Sequence, residues 1–251
     1  MEIDLNFHKK DRFINKNILY LFNTDIYEYD MKSAGTSIME EFQIVTKDII
    51  RELKELPKKQ RVVREGNLQK NKDISSKLSD GFSEIRKRFY IENSIELDDI
   101  VSVNKDAIFV TKRCNELKFG CVKFVEKHHY SSYLRLDCFQ FYYNGEIDVK
   151  GISDKIIGLH DDGIMKVIKS FFRNMETSDK KTTLIHLRRV ITDYKTRQLP
   201  VSYYREFTPS SKFKVIEDSW EYDDFWEDRK DELDISYNLE KILLPLAIIG
   251  V

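Results

Sequence analysis

The chain has 251 residues, with 41% hydrophobic and 12% aromatic side chains, enough to bury a sizeable core and too apolar for a disordered protein. Forty-two basic residues stand against 43 acidic ones, which excludes a uniformly basic nucleic-acid coat but leaves room for a local basic groove. Three cysteines without a CxxC or CxxH pair argue against a structural zinc site and a disulfide framework.

The first residues, MEIDLNFHKKD, carry charges where a signal peptide needs an apolar core. The apolar run Ile242–Val251 is broken by Pro245 and too short to span a bilayer. A soluble, cytoplasmic protein with no membrane partner is expected. Residues 18–29 contain β-formers around a polar break and predict one or two strands leading to Asp30. From Ser37 to Leu56, apolar residues at Ile38, Phe42, Val45, Ile49, Ile50 and Leu53 have helical spacing, closed by Pro57. Lys58 to Lys72 is rich in Lys and Arg and poor in core residues, so it reads equally as a solvated basic loop or a phosphate-binding segment. Ile74 to Ile95 is again helical, with Gly81 as an interruption. Two apolar runs, IVSV and AIFV, flank the polar Asn104-Lys105-Asp106 and predict a β-hairpin with Asp106 at its tip or shoulder.

More strands are expected in CVKFV, YLRLDCFQFYY and IDVKG. Helices are expected over Gly163–Met175 and Thr182–Lys195, then an acidic, aromatic stretch from Glu217 to Asp234 and a final amphipathic segment. The order implies an α+β fold: a first domain over 1–155 and a smaller, mainly helical one over 156–251.

Two carboxylates stand in flanks that composition alone does not suggest. Asp30 lies where a strand ends and a helix begins, in Tyr29-Asp30-Met31-Lys32-Ser33-Ala34-Gly35-Thr36-Ser37. Asp106 lies in the hairpin. Carboxylates on adjacent strands of a rigid sheet can share two divalent ions ~3.5–4 Å apart, the arrangement that phosphoryl transfer uses. Mg²⁺ favours such oxygen ligands, and Mn²⁺ serves as an alternative. Each residue also has an ordinary reading. Asp before a helix is a preferred cap, and Asp in a tight hairpin is a preferred turn residue. His128 and His129, adjacent on a strand, point to opposite faces rather than to one metal. The aromatic groups Tyr130, Tyr133, Tyr142, Tyr143, Tyr203 and Tyr204 offer rings that can stack on bases, although core packing is expected for most of them.

These residues resemble motifs of the family B DNA polymerases. Asp30, Ser33 and Ser37 match the aspartate and serines of D-x-x-S-L-Y-P-S. Ser102 to Val110 overlays Y-G-D-T-D-S-V-F-V without a gap, with Asp106 on the second aspartate. Lys127-His128-His129-Tyr130-Ser131 is similar to K-K-x-Y-A, Asp148-Val149-Lys150-Gly151-Ile152 to L-x-x-K-G, and Tyr237 to Pro245 to the helix that closes the thumb. The series runs in order across residues 30–245. It implies a strongly shortened polymerase-palm-like antiparallel sheet with packed helices, minimal fingers within about 55–80, no exonuclease domain, and a small helical thumb.

The resemblance further implies metal binding and catalysis at Asp30 and Asp106. It implies nucleoside triphosphate contacts at Ser33, Gly35, Arg61, Arg64, Lys70 and Lys72, and nucleic-acid contacts at Lys127, Tyr130, Lys150, Gly151, Arg188 and Arg189. Primer–template nucleic acid and replication proteins are the implied partners. Departures accompany it. Asn104 replaces the first aspartate of the third motif, Gly35 stands where the family places a sugar-selecting tyrosine, and the fingers motif K-x-x-x-N-S-x-Y-G is missing. Two alternatives therefore stand beside a template-directed nucleotidyltransferase: a catalytically silent palm that binds nucleic acid or assembles a replisome, and a two-metal nuclease.

Overall fold

The computed structural model describes residues 11–150, 163–177, 180–204 and 227–250. The fold is α+β, as expected, with two separate antiparallel sheets. It divides into two compact units: residues 1–17 with 25–129, and residues 18–24 with 130–251. The boundary expected at 155/156 is therefore corrected to 129/130. The three strands that follow residue 131 share a core with the C-terminal helices rather than with the first sheet.

In the first unit, strands β1 (Arg12–Ile14), β3 (Ile26–Met31), β4 (Ile100–Asn104), β5 (Ala107–Val110), β6 (Lys118–Phe119) and β7 (Val122–Tyr130) form a six-stranded sheet in the order β1-β4-β5-β3-β7-β6. Helices α1 (Ala34–Glu41), α2 (Lys47–Glu55), α3 (Lys58–Leu68) and α4 (Lys72–Glu92) lie between β3 and β4. Thr46 caps α2 by accepting the Ile49 amide, and Leu56 turns extended ahead of Pro57, which ends the helix. Asn71 caps α4 by accepting the Asp73 and Ile74 amides.

Three expectations change here. The single helical stretch expected from Ser37 to Leu56 is two helices, α1 and α2, broken at residues 42–46. The basic segment after Pro57 is a helix, α3, although none of its residues is buried. Gly81 does not interrupt α4. A Cβ there would stand 2.5 Å from Ile38 Cγ2, so the glycine lets α1 approach α4 closely. Tyr29, Met31, Ile38, Leu53, Leu78, Phe82, Ile85, Phe89, Ile108 and Val110 share one core between this sheet and the helices. Alternation along β3 then puts Glu28 and Asp30 on the opposite face from Tyr29 and Met31.

In the second unit, β2 (Tyr20–Leu21), β8 (Ser132–Leu136), β9 (Phe139–Asn144) and β10 (Glu146–Lys150) form a sheet in the order β10-β9-β8-β2. The run expected as one or two strands before Asp30 thus becomes two strands in two different sheets. Helices α5 (Gly163–Glu176) and α6 (Lys180–Lys195) pack on this sheet with α7 (Leu244–Ile249), through Phe141, Tyr143, Ile168, Phe172, Leu187 and Leu246. The Glu176 carboxylate at the end of α5 accepts from the hydroxyls of Ser131 and Ser132, at 2.5 and 2.8 Å.

Candidate functional site

The predicted hairpin is present, and its tip is the two-residue turn Lys105-Asp106 between the paired Asn104 and Ala107. Strand β3 pairs with β5 so that Asp30 lies opposite Ala107, the residue after Asp106. The register is held past the strand ends, because the Met31 amide donates to the Asp106 carbonyl at 3.0 Å. Two aspartates far apart in sequence are thereby brought to neighbouring strand ends.

Their electrostatics follow from that geometry. Asp30 is raised above the ordinary carboxylate range, first by burial and then by the Asp106 charge; Glu28 adds to the rise, and Lys127 and Lys58 oppose it. The Lys127 ammonium stands 3.5 Å from Glu28 Oε1 and 3.8 Å from Asp30 Oδ2. Its partners differ in exposure: the Glu28 side chain is 2% exposed and the Asp30 side chain 31%. The arrangement is thus an acidic pair on a sheet face, flanked by a buried glutamate and two lysines. Asp30 is not the helix cap. That position belongs to Ser33, which is left-handed (φ 49) and makes no side-chain cap bond.

The predicted triphosphate residues are less well gathered. Gly35 opens α1, but a Cβ there would lie 2.7 Å from Glu65 Oε2, so the space beside it is filled by a carboxylate from α3. The Thr36 hydroxyl donates to the same carboxylate at 2.5 Å. Arg64 is committed to Glu52 through two bonds of 2.8 and 3.2 Å. Arg61 lies on α3, while Lys70 and Lys72 are exposed around the turn into α4. Lys58, at the start of α3, is the cation of that segment that reaches the field of Asp30.

Among the expected nucleic-acid contacts, Lys127 belongs to the acidic site itself. Tyr130 is buried, its ring tilted against Tyr142 and its hydroxyl donating to Asp148 at 2.8 Å, so it offers no ring face to a base. This corrects its expected role in nucleic-acid contact. Lys150 donates to the same Asp148 carboxylate at 2.8 Å, which joins two predicted residues through an acid between them. Arg188 and Arg189 are exposed on α6, with Arg189 3.6 Å from Asp193. Gly151 lies outside the described residues, as does most of the acidic, aromatic stretch.

Sequence reading missed Glu28 and Arg86. Strand parity could have found Glu28, two residues before Asp30 on the same face. Arg86 stands within the apolar stripe Leu78, Phe82, Ile85, Phe89 of α4, where a charge is out of place. Among the described residues, no three His, Cys, Asp or Glu side chains gather as a metal-holding group. No described helix is long and apolar enough to cross a membrane.

The molecule is therefore an α+β protein in which Asp30 and Asp106 stand at neighbouring strand ends of an antiparallel sheet. The chain belongs to the family described as bacteriophage PBS1 gene 130 protein, which matches residues 3–249. No curated protein matches it.

Proposed function

We propose that this phage-family protein is a template-directed nucleotidyltransferase that joins nucleotides from nucleoside triphosphates to a primer 3′-hydroxyl on primer–template nucleic acid. The observation that carries the reading is the pairing of Asp30 and Asp106, on a strand and a hairpin that the helices α1–α4 separate in sequence. The motif series along the chain supports it. The carboxylates fit a divalent ion: both offer hard oxygen donors, and the Asp106 charge helps to raise Asp30. Mg²⁺ is commonly held by one or two carboxylates, with substrate phosphates completing its shell, so a third acid is not required. Bound there, Mg²⁺ or Mn²⁺ would supply activation of the attacking hydroxyl and neutralisation of the phosphates.

The chain's own residues contribute position and charge. Asp30 and Asp106 would be the residues that hold such an ion, and positioning of the reacting groups is the main work in phosphoryl transfer. Lys127 balances Glu28 and Asp30, limiting the repulsion within the site. Lys58 brings a positive charge from the short helix that stands where fingers are expected.

A second reading, a catalytically silent palm that binds nucleic acid or assembles a replisome, is favoured by the Glu65 carboxylate filling the space beside Gly35. Primer extension with Mg²⁺ and Mn²⁺, using dNTPs and NTPs in parallel, separates the two. Extension that Asp106→Asn abolishes, with little change in melting temperature for this partly exposed turn residue, supports the enzyme. Primer–template binding without extension supports the silent palm.

A further inference from the structure

We infer that Arg86 is a positioning residue for Asp106, a guanidinium built into the core to hold the hairpin tip in place. The inference rests on reading Asp106 as the functional carboxylate. Arg86 is fully buried on α4, in the stripe that packs on the sheet. A guanidinium taken out of water is costly unless its donors are used. One arm donates to the Lys105 carbonyl at 3.1 Å and the other to the Asp11 carboxylate at 3.1 Å. Asp11 in turn accepts the Lys105 amide on its backbone carbonyl at 2.6 Å. Both backbone polar groups of Lys105 are therefore held by one Arg86–Asp11 unit.

Lys105 needs such support. It is left-handed (φ 57), a conformation unfavourable for a residue with a Cβ. Its neighbour Asp106 is fixed from the other side by the Met31 amide. The two-residue tip is thus gripped from the helix layer and from β3 at once, which fixes the backbone from which the Asp106 side chain projects. An apolar side chain would fill the Arg86 site without the cost of burying a charge. The planar fork adds a fixed reach to one carbonyl, which lysine, with a point charge, reproduces only in part.

Arg86→Met and Arg86→Lys test this by amide hydrogen exchange, Mn²⁺ affinity from electron paramagnetic resonance, and primer extension. In folded Arg86→Met, exchange of the Lys105 and Met31 amides should accelerate on the order of tenfold or more while the other amides of the sheet keep their protection. Mn²⁺ affinity and kcat should fall, KM for the triphosphate should hold, and Arg86→Lys should recover part of each loss. Acceleration spread over the whole sheet, or an unchanged tip, overturns the inference. If Arg86→Met does not fold, Asp11→Asn at its half-exposed position is read instead. Its Lys105 and Met31 amides must accelerate selectively, and constancy there overturns the inference equally. Exchange needs no catalysis, so a protein that never extends a primer fails the enzyme reading without deciding this one.

Discussion

The Lys127 ammonium stands between two carboxylates of one strand, 3.8 Å from Asp30 and 3.5 Å from Glu28. It offsets only part of the repulsion there, because Asp30 remains raised by burial and by Asp106. A carboxyl whose folded pKa lies above its unfolded value binds its proton more tightly when folded. Its contribution therefore favours folding at low pH and is lost as pH rises through the folded pKa. Asp30→Asn, measured in chelator, should raise the melting temperature at neutral pH by a few degrees at most, with the gain disappearing below the ordinary Asp range. Parallel thermal melts across acid and neutral pH check this; a variant less stable than wild type at neutral pH would show that the Lys127 pairing outweighs the repulsion.

Packing gives a second expectation. Gly81→Ala improves helix propensity by ~1 kcal/mol, yet the new methyl would stand 2.5 Å from Ile38 Cγ2 and 3.0 Å from the Phe42 ring. Overpacking a fitted core costs ~1–3 kcal/mol, so net destabilisation of about 1 kcal/mol is expected by urea denaturation. Ile38→Leu in the same chain should recover part of the loss, since it removes the β-branch methyl Cγ2 that stands in the way.

These cases also mark what the sequence makes legible. The hairpin around Asp106 and the helix before Pro57 are written locally, in apolar runs and a proline. That the strand carrying Asp30 pairs with the second strand of this hairpin is seen only in the structure. What is not written locally depends on contacts between distant elements. Gly81 reads as a break because its neighbour Ile38 comes from another helix. Tyr130 reads as a possible stacking ring until Tyr142 and Asp148 are seen to enclose it. The domain boundary moves because strands β8 and β9, buried along nearly their whole length, do not declare which helices cover them. Glu65, on a helix with no buried residue, gives no local sign of its reach to Thr36.

That reach supplies the third expectation. Glu65 puts a negative charge beside the turn where the proposed triphosphate would approach, at the start of α1. Glu65→Gln keeps a side chain that can accept from Thr36 and removes the charge. Triphosphate affinity, measured by titration with a fluorescent nucleotide, should tighten roughly three- to tenfold, the scale of a partly solvated charge interaction of about 1 kcal/mol. Unchanged or weaker binding would move the triphosphate away from this turn.

The fourth expectation concerns the sugar. Gly35 stands where the resembling family carries a tyrosine that rejects a 2′-hydroxyl, so the wild-type chain should use NTPs nearly as well as dNTPs. Gly35→Tyr alone is a poor test, because its Cβ would meet Glu65 Oε2 at 2.7 Å and Oε1 at 3.2 Å. The substitution would first displace that carboxylate, mixing a charge effect with a steric one. Backbone conformation is no obstacle, since Gly35 is not among the glycines held at positive φ. The clean comparison is Glu65→Ala against Glu65→Ala with Gly35→Tyr, which removes the obstructing carboxylate from both. Single-nucleotide extension should show NTP use lost in the double variant on the order of a hundredfold, as a steric gate worth about 2.7 kcal/mol would give, with dNTP use retained. Equal loss of both substrates would mean that tyrosine blocks the whole triphosphate. No change in either would place the sugar elsewhere on the sheet, away from the turn after Asp30.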